Sequence, residues 1–280
     1  MNPERHRVAL KVYYDGTKFE GFQRQPHGRT VEDRLIEALV KERIIEGAKE
    51  ARWKHASRTD RGVSAIWQVV AFDVDEEGLT ALRRSLMRIN RRLLPDICAW
   101  AWAEAPPGFD PRRDARLRRY AYVAPDEGED VQSMIEAAKV LSGTHDFSRI
   151  AKPDRGSGVR TVRIAVGRLD GCWCIIFEGP GFYRHLLRKL ASIIIMAGRG
   201  ELDTEDIRRL LEHGGAVEPA PAEGLVLLDV IYDENKISFV HDPASVMVLT
   251  QLLRRIFTAH RVRAGVYELI LQRLRPLEAR

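Results

Sequence analysis

VRIAVGRLDGCWCIIF, residues Val162 to Phe177, reads as two strands joined by a turn. Val162–Leu169 and Cys172–Phe177 are apolar and rich in β-branched residues, and the Asp170-Gly171 pair between them is the chemistry of a two-residue hairpin. Outward from this hairpin, strands and helices are mixed. Upstream lie Arg7–Tyr14 (RVALKVYY), Trp67–Val74 (WQVVAFDV), Ile97–Ala103 and Arg119–Val123 as strands, with Leu225–Ile231 downstream. Helices are expected at the Thr30-capped segment with Leu35, Leu39 and Val40 on its apolar stripe, at Leu79–Leu94 with a basic outer face, and at Val131–Leu141. Three more are expected at Phe182–Met196, at Asp203–Glu212, and after Asp242-Pro243. There is no strict βα alternation, so the pattern points to an α+β fold rather than a doubly wound sheet. A loop rich in Gly, Pro and charge, Lys152–Gly158, separates two broadly similar sets of elements.

The 280 residues suffice for one large domain or two ordinary ones. At 45% hydrophobic and 30% charged, the chain is neither disordered nor fibrous. Apolar runs such as Ile193–Ala197 fall far short of the roughly 20 residues of a membrane span. MNPERHRVAL has no apolar region of the kind that directs secretion, so no membrane association is expected and a cytoplasmic location is. Three cysteines, Cys98, Cys172 and Cys174, make neither a disulfide framework nor a four-cysteine zinc site; the alternating Cys172 and Cys174 read as small core residues.

The net charge is +5, and 36 of the 45 cationic side chains are arginine. Arginine's planar fork suits phosphate and stacks on bases, although an Arg-rich composition alone has the same signature. The excess is concentrated in Arg83–Arg92 (RRSLMRINRR) and Pro111–Tyr122 (PRRDARLRRYAY). No Walker loop, GxGxxG, HExxH or paired CxxC occurs, and the eight histidines lack ligand spacing. Asp73 and Asp75 form a DxD at a strand end, which reads better as a solvated turn than as a metal site.

HASRTDRGVSAIWQVV, His55 to Val70, carries the most chemistry. It sets one carboxylate, Asp60, between Arg58 and Arg61 in a short polar loop that runs straight into a strand. One reading is a surface ion pair or an Asx turn before Gly62. The other is an aspartate held ionised by cations in a site for a polyanion, available as nucleophile or base.

Six segments in order resemble the TruA-type tRNA pseudouridine synthases. YYDGTKFEGFQRQP resembles that family's YDGxxFxGWQxQ, and ASRTDRGVSA its GRTDxGVHA, with Asp60 on the acid. ARLRRYAYV resembles xSRxYxYxI, with Tyr120 on the tyrosine, and LSGTHDFS resembles LxGxHDFxxF. GFYRHLLRKLASIIIMAGRGEL resembles AFLxHMVRxIVGxLxxVGxGxL, with Arg188 on the arginine, and PAEGLVLLDVIY resembles APAxGLYLxxVxY. Departures are Phe22 for Trp, Ser57 for Gly, Arg61 for Ala, Ser64 for His and Pro180 for Asn.

The resemblance implies two ferredoxin-like (RRM-like) halves, 1–105 with the catalytic loop and 106–280 completing the site. Their sheets would be mainly antiparallel and flanked by helices, with a basic cleft between them. It implies isomerisation of uridine to pseudouridine in the anticodon stem-loop of tRNA, at the positions conventionally numbered 38 to 40, by a homodimer. No cofactor and no metal is implied. Asp60 would be the catalytic carboxylate, attacking C1′ or removing a sugar proton. Tyr120 would stack on the uracil, its phenol near the sugar or base, or else be a core tyrosine. Arg188 would pair with Asp60 or snorkel to the surface, and Arg58 would enter the space the flipped base leaves or contact phosphate. Arg24, Arg83, Arg84, Arg91, Arg92, Arg112 and Arg113 are the candidates for the RNA backbone, which such enzymes grip largely through phosphates and shape. The weighed alternatives are a non-catalytic RNA-binding chaperone and a metal-dependent phosphodiesterase using Asp60, Asp73 and Asp75.

Overall fold

In the computed structural model, which describes residues 5–26, 28–153 and 157–278, the first strand β1 (His6–Tyr14) has antiparallel neighbours on both sides. These are β3 (Ser64–Val74) and β4 (Ile97–Glu104). Both faces of β1 are covered, so its apolar residues run on instead of alternating with polar ones. Val8, Leu10 and Val12 join a core with Leu35, Leu39, Leu79 and Leu82, whereas Tyr13 joins a second cluster with Trp100 and Leu249.

β2 (Lys54–His55) lies beside β3. The remaining strands are β5 (Leu117–Pro125), β6 (Gly143–Asp146), β7 (Val159–Leu169), β8 (Cys172–Gly179), β9 (Leu225–Ile231) and β10 (Val240–His241). Their order is β10-β4-β1-β3-β9-β5-β8-β7-β6. Pairing is antiparallel except between β3 and β9, where Ser64 and Ala65 lie opposite Val226 and Leu227. Strands from before and after residue 105 therefore share one sheet; the parallel step is the seam between β1–β4 and β5–β9, and β10 crosses back to the β4 edge. The α+β class holds.

The helices are α1 (Val31–Lys41), α2 (Glu76–Arg84), α3 (Met87–Leu93), α4 (Val131–Leu141), α5 (Leu186–Gly198), α6 (Thr204–His213) and α7 (Pro243–Glu278). The Thr30 hydroxyl accepts from Asp33 N, and Asp33 in turn accepts from the hydroxyl. Asp203 and Asp206 form a reciprocal capping box on α6. These bonds satisfy first-turn N–H groups that a helix leaves open. No described helix is long and apolar enough to cross a membrane.

Four expectations need correction. The helix read over Leu79–Leu94 is two helices. Asp75 caps the first by accepting from Gly78 N at 2.8 Å, and Ser85 then turns extended (φ −175), so Leu86, Ile89 and Leu93 re-aim into the core. Asp73 is likewise no solvated turn residue: it is buried and paired with Arg7 (3.0 Å) and Arg52. Cys172 and Cys174 face the half-exposed side of β8, and the fully buried Trp173 between them is the core residue. The helix expected from Phe182 starts at Leu186, for reasons given below. Of the loop at Lys152–Gly158, residues 154–156 lie outside the described residues.

Trp173 also fixes a buried acid. Its Nε1 donates to Glu129 Oε2 (2.8 Å), Glu127 N donates to the same oxygen (2.9 Å), and Arg199 Nε donates to Oε1 (3.0 Å). Burial pushes the Glu129 carboxyl up, but these donors outweigh it and hold the group at about 2, below the ordinary 4.5. A lowered acid lends stability that is present above the unfolded value and lost as pH falls through the folded one. Glu129→Gln should lower the unfolding free energy by about 2 kcal/mol at pH 7. That deficit should close between pH 4.5 and about 2; denaturant unfolding across this range checks it, and a deficit independent of pH contradicts it.

Candidate active site

The loop that carries Asp60 leads into β3 at the seam of the sheet, and its shape is imposed by the segment after β1. Tyr14 Oη bonds Thr59 Oγ1 at 2.7 Å, and Phe22 N donates to Thr59 O at 3.1 Å. Gly16 lies so close that a Cβ there would sit 2.1 Å from Val63 O, and Gly21 holds φ +115 against Thr59 O. Only glycine meets both conditions at low cost. Ser64 Oγ accepts from Gly16 N (3.0 Å), which gives this departure from the family pattern a structural role. Arg61 pairs with Glu20 at 3.1 Å on the surface.

The buried Arg118 on β5 ties the loop to its surroundings. Its guanidinium donates to Ala56 O (3.0 Å), Ser57 Oγ (3.2 Å), Arg112 O (2.9 Å) and Pro180 O. The departures Ser57 and Pro180 thus both bind one side chain. No carboxylate pairs with Arg118 among the described residues; backbone carbonyls and a hydroxyl satisfy it instead.

Asp60 itself, with 21% of its side chain exposed, meets three groups from the start of α5. Arg184 Nε is 3.4 Å from Oδ1, while His185 Nε2 and Arg188 Nη1 are 3.5 and 3.7 Å from Oδ2. Arg188 is anchored by donating to Ala220 O at 2.6 Å, just before the PAEG turn. His185 adopts a left-handed backbone (φ 63), which ends helical propagation there and explains the late start of α5. Tyr183 before it donates to Gly158 O at 3.0 Å, so residues 182–185 position the site rather than extend the helix.

Tyr120 is buried on β5, edge-on to Phe182 with ring centroids 5.8 Å apart. Burial pushes its phenol up, and Asp60 adds to this, against Ser57 and Arg118, which pull it down. Burial also pulls His185 below its ordinary 6.5; Asp60 opposes this, and Arg184, Arg188 and Lys189 reinforce it. Arg58 is exposed on the loop with no ion pair among the described residues. The structure thus brings Asp60 and Arg188 together, with Tyr120 close by, and adds Arg184 and His185. The sequence reading missed both, because it sought histidines at metal-ligand spacing; three basic residues at 184, 185 and 188, around the start of an apolar helix, were the available signal.

All seven proposed backbone arginines are exposed. Three are engaged: Arg24 with Asp33 (2.6 Å), Arg83 with Glu104 (2.6 Å) and Arg92 with Glu42. Arg84, Arg91, Arg112 and Arg113 form no side-chain ion pair among the described residues. Asp73 is taken by two arginines and Asp75 by a helix cap, so neither is available to share a metal with Asp60.

Comparisons with known proteins place the whole chain. A family described as tRNA pseudouridine synthase matches residues 137–233. A tRNA pseudouridine synthase A of Methanosarcina barkeri is 41% identical over 94% of this chain and 97% of its own length. Those of Pyrococcus furiosus and Pyrobaculum arsenaticum are 35% identical (94% of this chain, 96% of theirs) and 43% identical (79% and 80%). A solved archaeal box H/ACA sRNP Nop10-Cbf5 complex aligns over 67% of this chain and 42% of its own at TM-score 0.32 and 12% identity, too distant to bear on the fold. Near-full-length identity of this order, on a chain whose signature residues cradle one carboxylate, places the protein in the tRNA pseudouridine synthase A family, a family of isomerases.

Proposed function

We propose that the protein isomerises uridine to pseudouridine in the anticodon stem-loop of tRNA, at positions 38 to 40, with Asp60 as the catalytic carboxylate. The observation that carries this reading is the half-buried Asp60 carboxylate ringed by Arg184, His185 and Arg188 on a loop cradled by glycines. The reaction breaks N1–C1′, forms C5–C1′ and moves one hydrogen from C5 to N1, so it calls for no external electron or group donor and no metal. Asp60 either attacks C1′ or removes a sugar proton, and Arg188 steadies its charge. Tyr120 stacks on the uracil.

The target nucleotide is flipped out at a cost of a few kcal/mol, and Arg58, exposed beside Asp60, fills the space it leaves. The exposed arginines, Arg84, Arg91, Arg112 and Arg113 first among them, hold phosphates and make binding salt-dependent. Residues 1–105 and 106–280 act as two halves of one enclosing cleft, and the enzyme works in the cytoplasm as a homodimer.

The test is incubation of the pure protein with an unmodified tRNA transcript, followed by chemical mapping of pseudouridine. Conversion at 38 to 40 is expected. Conversion elsewhere overturns the position, and no conversion with enzyme in excess favours an RNA chaperone.

A further inference from the structure

The isomerisation leaves one step without an owner. When C5 bonds to C1′ it carries both its hydrogen and the new sugar bond, and a base must remove that proton. Since C5 is then bonded to C1′, at or next to the sugar atom that Asp60 serves, its hydrogen is brought near that carboxylate. Three basic side chains pair with Asp60 within 4 Å among the described residues, and two are guanidiniums, which hold no lone pair to accept a proton. The third is His185. Its Nε2 stands 3.5 Å from Oδ2, beyond a normal hydrogen bond and so uncommitted, and 35% of its side chain is open to a ligand.

The backbone points the same way. His185 holds a left-handed φ of 63, a conformation that is costly for a non-glycine residue and that clusters at functional sites. It sits at the cap position of α5 but makes no capping bond. The strained backbone brings the imidazole to Asp60, and among the described residues the ring makes no hydrogen bond.

We propose that His185 is the general base that removes the C5 proton and returns it to N1. The proposal rests on the uridine isomerisation argued above. The C5–H bond breaks and its proton goes to the imidazole lone pair. The freed electron pair forms C5=C6, the C6=N1 pair moves onto N1, and N1 takes the proton back from the imidazolium. One proton leaves C5, one arrives at N1, and the imidazole is regenerated. The groups facing the ring are Asp60, Arg184, Arg188 and Lys189; with burial, the three cations outweigh Asp60 and keep the imidazole neutral at pH 7. Tyr120 is less suited, since burial makes its phenol hold its proton more firmly.

Single-turnover conversion of tRNA transcripts carrying hydrogen or deuterium at uridine C5 tests this. His185→Gln should slow conversion about 100-fold with tRNA binding unchanged. Its deuterium effect should exceed that of the wild type, because C5–H cleavage becomes rate-limiting. The acid limb of the wild-type rate–pH profile, lying below pH 6.5, should vanish. Asn tolerates a left-handed backbone, so His185→Asn keeps the test valid if the Gln variant misfolds. His185 variants within about threefold of the wild type, or a raised isotope effect in Tyr120→Phe but not in His185→Asn, overturn the proposal. If the wild type converts no tRNA, the functional reading fails instead, so the two failures are separable.

Discussion

Asp60→Asn should lose pseudouridine formation by at least about 1,000-fold while keeping its grip on tRNA. The substitution preserves size and most hydrogen bonding, and it removes only the charge and the nucleophilic or basic oxygen. Neither of the proposed roles survives that change, because an amide neither attacks C1′ well nor takes a sugar proton. Binding should hold or tighten, since phosphate contacts lie elsewhere and the pocket loses its one negative charge among Arg184, His185 and Arg188. Stability should change by no more than about 1 kcal/mol, because Arg184 is 66% exposed and the ion pairs are long. Filter binding and single-turnover assays on the same preparation read both quantities. A variant that retains more than a tenth of the wild-type rate would remove Asp60 from the chemistry.

Arg188→Met should cost about 100- to 1,000-fold in single-turnover rate with tRNA affinity within a few fold. The wild-type guanidinium does two things at once: it reaches Asp60 Oδ2 at 3.7 Å and donates to Ala220 O at 2.6 Å. With 15% of its side chain exposed it is the more sheltered of the two guanidiniums beside Asp60, and hence the one less weakened by solvent. Arg188→Lys keeps the charge but not the fork, so one ammonium has to choose between the carboxylate and the carbonyl. It should recover no more than about tenfold over Arg188→Met. Arg188→Met activity near the wild-type level would make the arginine a packing residue.

Much of this architecture was legible because local chemistry and tertiary structure agree. The hairpin turn at Asp170-Gly171 takes positive φ at both residues (51 and 78), as an Asp-Gly pair permits. The bounds of α4 and β9 coincide with the expected ones, and the reciprocal Thr30–Asp33 pair is present. What escaped the reading has physical reasons. β2 and β10 are two residues long and have no period to detect; long-range pairing makes them. The break at Ser85 is invisible in an apolar stripe that resumes one turn later. The late start of α5 reflects backbone strain at His185 in the service of the site, and propensity does not report strain. Asp60 stood out by its flanking cations, yet those neighbours are not what meets it: Arg61 turns to Glu20, and the actual partners come from the turn into α5 and its first helical residues, more than 120 residues away.

The central claim is that a flipped uridine docks with its sugar against the carboxylate at position 60. The most direct measurement is a crystal structure of the Asp60→Asn variant bound to unmodified tRNA. The account predicts one nucleotide of the anticodon stem-loop turned out of its helix, its C1′ within about 3.5 Å of the residue 60 side chain. A tRNA bound with that nucleotide still stacked, or turned into a pocket away from residue 60, would contradict it.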